Sequence, residues 1–139
     1  MAAKDALGKE GEELAVRALK QAGLQILDRN WRCSEGELDV VARHGSTLAV
    51  CEVKTRSGTA FGSPLDAVTP DKLVRVRRLA AAWLKDWRRS ASSERGGAPT
   101  RPTAGGPGAR GFDAIRFDVV GVLKRPDGSV TVEHVQEVG

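Results

Sequence analysis

The 139-residue chain predicts an α/β fold in which two helices and five short strands share one core. Its first twenty or so residues carry apolar side chains at helical spacing and end at a glycine. Two alternating stretches then flank a turn at His44–Thr47, as a hairpin requires. Further on, Thr69-Pro70-Asp71 opens a second helix with threonine as N-cap, proline at the first helical position and an acid in the first turn.

The first helix is expected over Lys4–Gln21. Leu7, Leu14, Ala15, Ala18, Leu19 and Ala22 fall on one side, and Gly23 serves as C-cap. Gly8 and Gly11 lie on the same side. Glycine weakens a helix, so both are read as places where the backbone approaches the sheet closely. Glu12 projects at the edge of this buried face, whereas Glu13 points into water.

Leu24–Trp31 reads as the first strand and Ser34-Glu35-Gly36 as a turn. In the second strand, Glu37–Arg43, alternation sets Glu37, Asp39 and Val41 on one face and Leu38, Val40 and Ala42 on the other. In the third, Leu48–Thr55, it groups Leu48, Val50, Glu52 and Lys54. With a four-residue turn Arg43 pairs with Leu48, which counts back to Asp39 directly opposite Glu52 and Glu37 opposite Lys54. A one-residue slip would send Asp39 to the other face.

Residues 57–68, with Phe61-Gly62, read as a loop. The second helix runs to about Arg89, with Leu73, Val76, Ala80, Trp83, Leu84 and Trp87 as its apolar stripe and Arg75, Arg78, Lys85 and Arg89 opposite. Residues 90–111 are rich in Ser, Gly, Pro and Ala without apolar periodicity, and read as a disordered loop inside a single domain spanning 1–139. Strands follow at Ala114–Leu123 and Ser129–Val135, around a turn at Arg125–Gly128.

Composition narrows the function classes. With 40% apolar and 29% charged residues, disorder along the whole chain is excluded. No apolar run approaches the ~20 residues of a membrane span. The first ten residues carry charges where a signal peptide needs an apolar core, so a cytoplasmic location is expected. Cys33 and Cys51 lack metal-ligand spacing and read as reduced thiols, and His44 and His134 do not suggest a zinc site. The net charge of +4 is unevenly spread: residues 71–110 hold ten Lys/Arg against three Asp/Glu, the imbalance expected of a surface that meets a polyanion. Few aromatics are available for base stacking, which disfavours a single-strand binder.

The chemistry gathers at Asp39, Glu52 and Lys54. Two opposed carboxylates repel one another and favour a cation between them, and Mg²⁺ prefers carboxylate and water oxygens. A lysine on the same face can orient an attacking water or stabilise charge developing on a phosphate. Glu12 is in place to reach a second metal ion or a metal-bound water. The charges appear where each strand leaves its apolar stretch, at one end of one hairpin, which is more often a site than decoration.

Gly8-x-x-Gly11-Glu12-x-x-Ala15, Asn30-x-Arg32, Gly36-Glu37-Leu38-Asp39, Glu52-Val53-Lys54-Thr55-Arg56, Phe61-Gly62, Lys72, Trp83-Leu84 and Arg116-Phe117-Asp118-Val119-Val120 together resemble the YraN-like family. These are small bacterial predicted endonucleases related to archaeal Holliday-junction resolvases, within the restriction-endonuclease-like PD-(D/E)xK superfamily. The resemblance spans nearly the whole chain outside residues 90–111. It implies a restriction-endonuclease-like central mixed β-sheet flanked by helices. It also implies metal binding by Asp39 and Glu52, catalysis by Lys54 and a supporting acidic role for Glu12. The expected activity is Mg²⁺- or Mn²⁺-dependent hydrolysis of DNA, with branched or recombining structures as the substrate class. DNA phosphates would be met by Arg56, Lys72, Arg75, Arg78, Lys85 and Arg89, and a homodimer follows by analogy with resolvases. The alternatives are a non-catalytic nucleic-acid-binding accessory protein with the same fold, and a protein-interaction domain whose basic stripe meets an acidic partner.

Overall fold

The computed structural model describes residues 2–57, 68–93 and 111–136. Among these described residues two helices and five strands occur in the order α1 (Ala2–Gln21), β1 (Gln25–Cys33), β2 (Gly36–His44), β3 (Thr47–Ser57), α2 (Pro70–Ser93), β4 (Ala114–Lys124) and β5 (Val130–Val135). The strands form one mixed sheet in sequential order, with β3 and β4 parallel and the remaining neighbours antiparallel. A parallel pair needs a crossover, and α2 lies within the connection between β3 and β4.

The helices cover opposite faces. Ala15, Val16 and Leu19 of α1 pack on Val40, Ala42, Ala49, Cys51, Val120 and Val122. Val76, Leu79, Ala80 and Trp83 of α2 pack on Leu38, Val41, Leu48, Val50, Phe117 and Val119. Strand β3 is therefore covered on both sides, and Leu48 to Cys51 are all buried. Leu79 belongs to the buried stripe of α2, although it is absent from the apolar set read at helical spacing.

The helix ends follow their sequence signals. Leu24 N–H bonds to Leu19 O and Gly23 N–H to Lys20 O, both at 3.0 Å, while Gly23 takes a φ of 95°. This is a Schellman closure, with Leu24 tucked against Leu19 in the core. At α2, Thr69 Oγ1 accepts the Lys72 N–H at 3.1 Å, as an N-cap should.

Several boundaries move. Residues 90–93 continue α2 where a loop is expected, and 94–110 lie outside the described residues, as do 58–67 with Phe61-Gly62. Of the two glycines expected at a close approach, only Gly11 qualifies. A Cβ there would stand 2.1 Å from Thr55 Oγ1 and 2.9 Å from Thr55 Cβ, so α1 rests against β3 at this residue. Gly8 is exposed, with nothing within 4 Å of its Cβ position, because α1 has already left the sheet surface by that turn. Among the described residues no helix is long and apolar enough to cross a membrane.

Candidate metal centre

Gly45, with a φ of 65°, and Ser46 alone connect β2 to β3, so the hairpin loop is two residues, not four. His44 and Thr47 add one more pair to the ladder, and the expected register is kept: Arg43 pairs with Leu48 and Val40 with Cys51. There the ladder stops. Asp39 makes no ladder pair with β1 or β3, and the pairing ends one step short of setting it opposite Glu52. Its Oδ2 instead accepts the Val53 N–H at 2.9 Å, so a side chain supplies the bond where main-chain pairing ends.

The strands lose their alternation at the same level. Leu38 packs with Val41 under α2, not with Val40 and Ala42 under α1 as strict alternation requires. On the neighbouring strand Asn30 has a φ of 51°, in the left-handed region that asparagine tolerates better than most residues. Arg29 and Asn30 consequently both reach α1. Glu12 Oε1 accepts from Asn30 Nδ2 at 2.9 Å and from Arg29 Nη2 at 3.0 Å, and Arg29 also meets Glu13 at 2.6 Å. The exposed Glu13 thus shares the arginine with Glu12, and that arginine holds its carboxyl below the usual range.

Asp39 and Glu52 both line a cavity of about 480 Å³ between the sheet and the first turns of α2. Lys72 and Arg75 close it from the helix side. Glu52 Oε2 lies 2.6 Å from Lys72 Nζ, with the two side chains about one-fifth exposed. The contact is an ion pair without hydrogen-bond alignment, and among the described residues this buried oxygen has no hydrogen-bond partner. On β3, alternation places Lys54 and Arg56 on the face of Glu52, with Leu48 and Val50. Arg78, Lys85 and Arg89 are exposed further along α2.

Two expected neighbours stand apart. Glu37 pairs with Arg32 at 3.0 Å and does not face Lys54 through the ladder, because the β2–β3 pairing ends before either residue. Glu12 is engaged by Arg29 and Asn30, and only its charge is felt at Asp39.

The carboxyl of Asp39 is raised above its usual range, chiefly by burial. The Val53 N–H opposes this, and the charges of Glu52, Glu37 and Glu12 add to it. A raised acid favours the folded state fully below the ordinary aspartate range, and that contribution is lost as pH rises through the raised value. In the presence of a chelator, Asp39→Asn is expected to raise the melting temperature by a few degrees at neutral pH. It should also flatten the loss of stability between the carboxylate range and neutrality, read by thermal melts across pH.

The donor set suits a hard cation. One carboxylate carries a buried oxygen without a hydrogen bond, the other is strained by burial and like charge, and an ammonium already answers the first. Among the described residues no group of three or more His, Cys, Asp or Glu is placed to hold a metal ion, so two carboxylates would be the protein's acidic share. Mg²⁺ commonly takes one or two carboxylates and fills its octahedron with water and phosphate oxygens. Cys51 points to the opposite face, its thiol pushed up by burial and by the charge of Asp118, and is a core residue.

The contributions of Lys72 as partner of Glu52, and of Arg29 and Asn30 as partners of Glu12, are not read from the sequence. Asparagine at position 30 is the one local signal, since it is a residue type that visits the left-handed region.

A family model described as "Uncharacterised protein family UPF0102" matches residues 11–122. The UPF0102 protein of Acidothermus cellulolyticus is 50% identical over 134 residues, covering 96% of this chain and 93% of the relative. That of Frankia alni is 50% identical over 136 residues, covering 98% and 96%. The UPF0102 protein of Streptomyces coelicolor is 48% identical over 139 residues, covering 99% and 92%. The matched span runs from Gly11, where α1 meets β3, through Asp39, Glu52 and Lys72 to Val122 of β4, and on it the chain belongs to the UPF0102 family.

Proposed function

We propose that the chain is a divalent-metal-dependent endonuclease that hydrolyses DNA phosphodiester bonds, with branched DNA as its substrate class. The observation that carries this reading is the meeting of Asp39 and Glu52 in the lining of one cavity, where, among the described residues, a buried Glu52 oxygen is met by a cation and by no hydrogen bond. Asp39 and Glu52 would hold Mg²⁺ or Mn²⁺. Such an ion lowers the pKa of bound water and neutralises charge on the phosphate. Lys54, two residues from Glu52 on the same strand face, stabilises the charge that develops on the phosphoryl oxygens. Glu12 supports the centre through its charge, fixed by Arg29 and Asn30.

Arg56, Lys72, Arg75, Arg78, Lys85 and Arg89 supply phosphate contacts without base readout. Binding through such contacts falls steeply with salt. The two-fold symmetry of a four-way junction fits a homodimer.

The test is cleavage of four-way and linear DNA by the purified chain with Mg²⁺ or Mn²⁺, against a chelator control. Metal-dependent cutting is expected, with preference for the junction. Binding that never leads to metal-dependent cutting would overturn the reading in favour of an accessory DNA-binding protein. Charge reversal at Arg75, Arg78 and Lys85 should weaken DNA binding and lower its salt slope by about one per lost phosphate contact. An unchanged slope would point to an acidic protein partner.

A further inference from the structure

Lys72 occupies a position that a lysine on its own helix would avoid. It lies in the first turn of α2, where the helix dipole disfavours a cation. Its main chain is pinned there, because its N–H is the one capped by Thr69 Oγ1. Its ammonium reaches across to Glu52 Oε2 at 2.6 Å, and this is its ion pair among the described residues. Among the described residues the same oxygen accepts no hydrogen bond, so the lysine answers its charge without satisfying its directionality.

An oxygen-bound Mg²⁺ stands ~2.0–2.1 Å from its ligand. An ammonium 2.6 Å from that same oxygen would then be a close like-charge neighbour of the divalent ion, and the two compete for one oxygen. In that competition the lysine is the partner that yields, since its four-carbon stem turns about a fixed backbone. Arg75, one helical turn on, lines the same cavity, so a displaced ammonium remains beside a second cation and needs a new anion.

We propose that Lys72 is an exchange residue. It holds Glu52 while the centre lacks a metal, gives up that oxygen when a divalent cation enters, and then binds a phosphate oxygen of the nucleic acid. Metal loading and phosphate capture are thereby coupled through one side chain. The proposal rests on the metal-centre reading above and adds a positioning residue to it.

The experiment measures Mn²⁺ binding by calorimetry to wild type, Lys72→Met, Lys72→Gln and Glu52→Gln, with thermal melts to establish folding. Separately, acetylation of Lys72 in the wild-type chain is followed by mass spectrometry with and without Mn²⁺. Removing the competing ammonium should tighten Mn²⁺ binding about tenfold in both Lys72 variants, the scale of a partly buried ion pair that no longer has to be broken. Saturating Mn²⁺ should raise the acetylation rate of Lys72 several-fold in the wild type. If the folded Lys72 variants bind Mn²⁺ no more tightly than wild type, or Lys72 acetylation does not respond to Mn²⁺, the exchange role is overturned and the metal centre stands. If neither wild type nor the Lys72 variants bind Mn²⁺, the metal reading is overturned and the exchange role falls with it. Loss of Mn²⁺ binding in Glu52→Gln, together with tighter binding in both Lys72 variants and faster acetylation of Lys72 with Mn²⁺, supports both.

Discussion

Asp39→Ala and Glu52→Ala are expected to abolish metal-dependent DNA cleavage, and Lys54→Ala to slow it by about 10²–10³-fold. The two carboxylates are the acidic donors of the cavity that would hold the cation, and neither has a close substitute. Glu37 also lines the cavity, but its carboxylate is drawn to Arg32. Glu37→Gln should therefore stay close to the wild-type rate, which makes it a control for simple loss of negative charge. Lys54 acts later, on charge that develops during reaction. Its alanine variant should bind Mn²⁺ as wild type does and fail in single-turnover cleavage. The aspartate and glutamate variants should fail at both. A Lys54→Ala protein that cuts at the wild-type rate would remove this lysine from the chemistry.

Glu12 distinguishes a ligand from a support. Its carboxylate is already committed to Arg29 and Asn30, so Glu12→Gln keeps an acceptor for Asn30 and removes only the charge. An effect much smaller than that of Glu52→Ala is consistent with support from the side. Loss of Mn²⁺ binding would instead make Glu12 a ligand.

Much of the architecture could be read locally. Thr69-Pro70 and Gly23 mark helix ends by chemistry that operates within a few residues, and both act as expected. The hairpin register could be read because Gly45 accommodates a tight turn, and tightening the loop by one pair leaves the remaining pairs unchanged. What alternation missed lies where the backbone departs from a regular strand. Asn30 adopts a left-handed conformation and Asp39 drops out of both ladders, so Leu38 lands on the side opposite to the one counted for it. Strand periodicity has no means of registering such a break. The partners of the charged groups were hidden for a different reason. Lys72 with Glu52, Arg29 with Glu12 and Arg32 with Glu37 are set by how elements dock, not by spacing along one of them. The same holds on the far face of the sheet for His44 and His134, which reach Arg116 and Asp118 of β4 from other strands.

Asp118→Ala is expected to cost about 3–5 kcal/mol of folding stability, the typical loss when a buried ion pair is broken from one side. Asp118 is fully buried beside Cys51 on the α1 face of the sheet. Arg116 grips both its oxygens, at 2.8 and 2.9 Å, and His134 Nε2 lies 2.8 Å from Oδ2. His44 Nδ1 lies 3.1 Å from Arg116 Nη1, so side chains from three strands join one network around this carboxylate. Alanine would leave the Arg116 side chain, only 11% exposed, without its counter-charge in a site that water scarcely reaches. The penalty therefore comes from the abandoned arginine more than from the lost contact. Urea unfolding of Asp118→Ala, Arg116→Met and the double variant Arg116→Met/Asp118→Leu separates the two. The double variant removes both charges and refills the space with apolar atoms, so it should recover most of what either single change loses. Additive losses in the double variant would show that the network contributes through its hydrogen bonds to His134 and His44, and not through charge compensation. Because this cluster lies across the sheet from Glu52, Mn²⁺ binding measured on the folded variants should match the wild type.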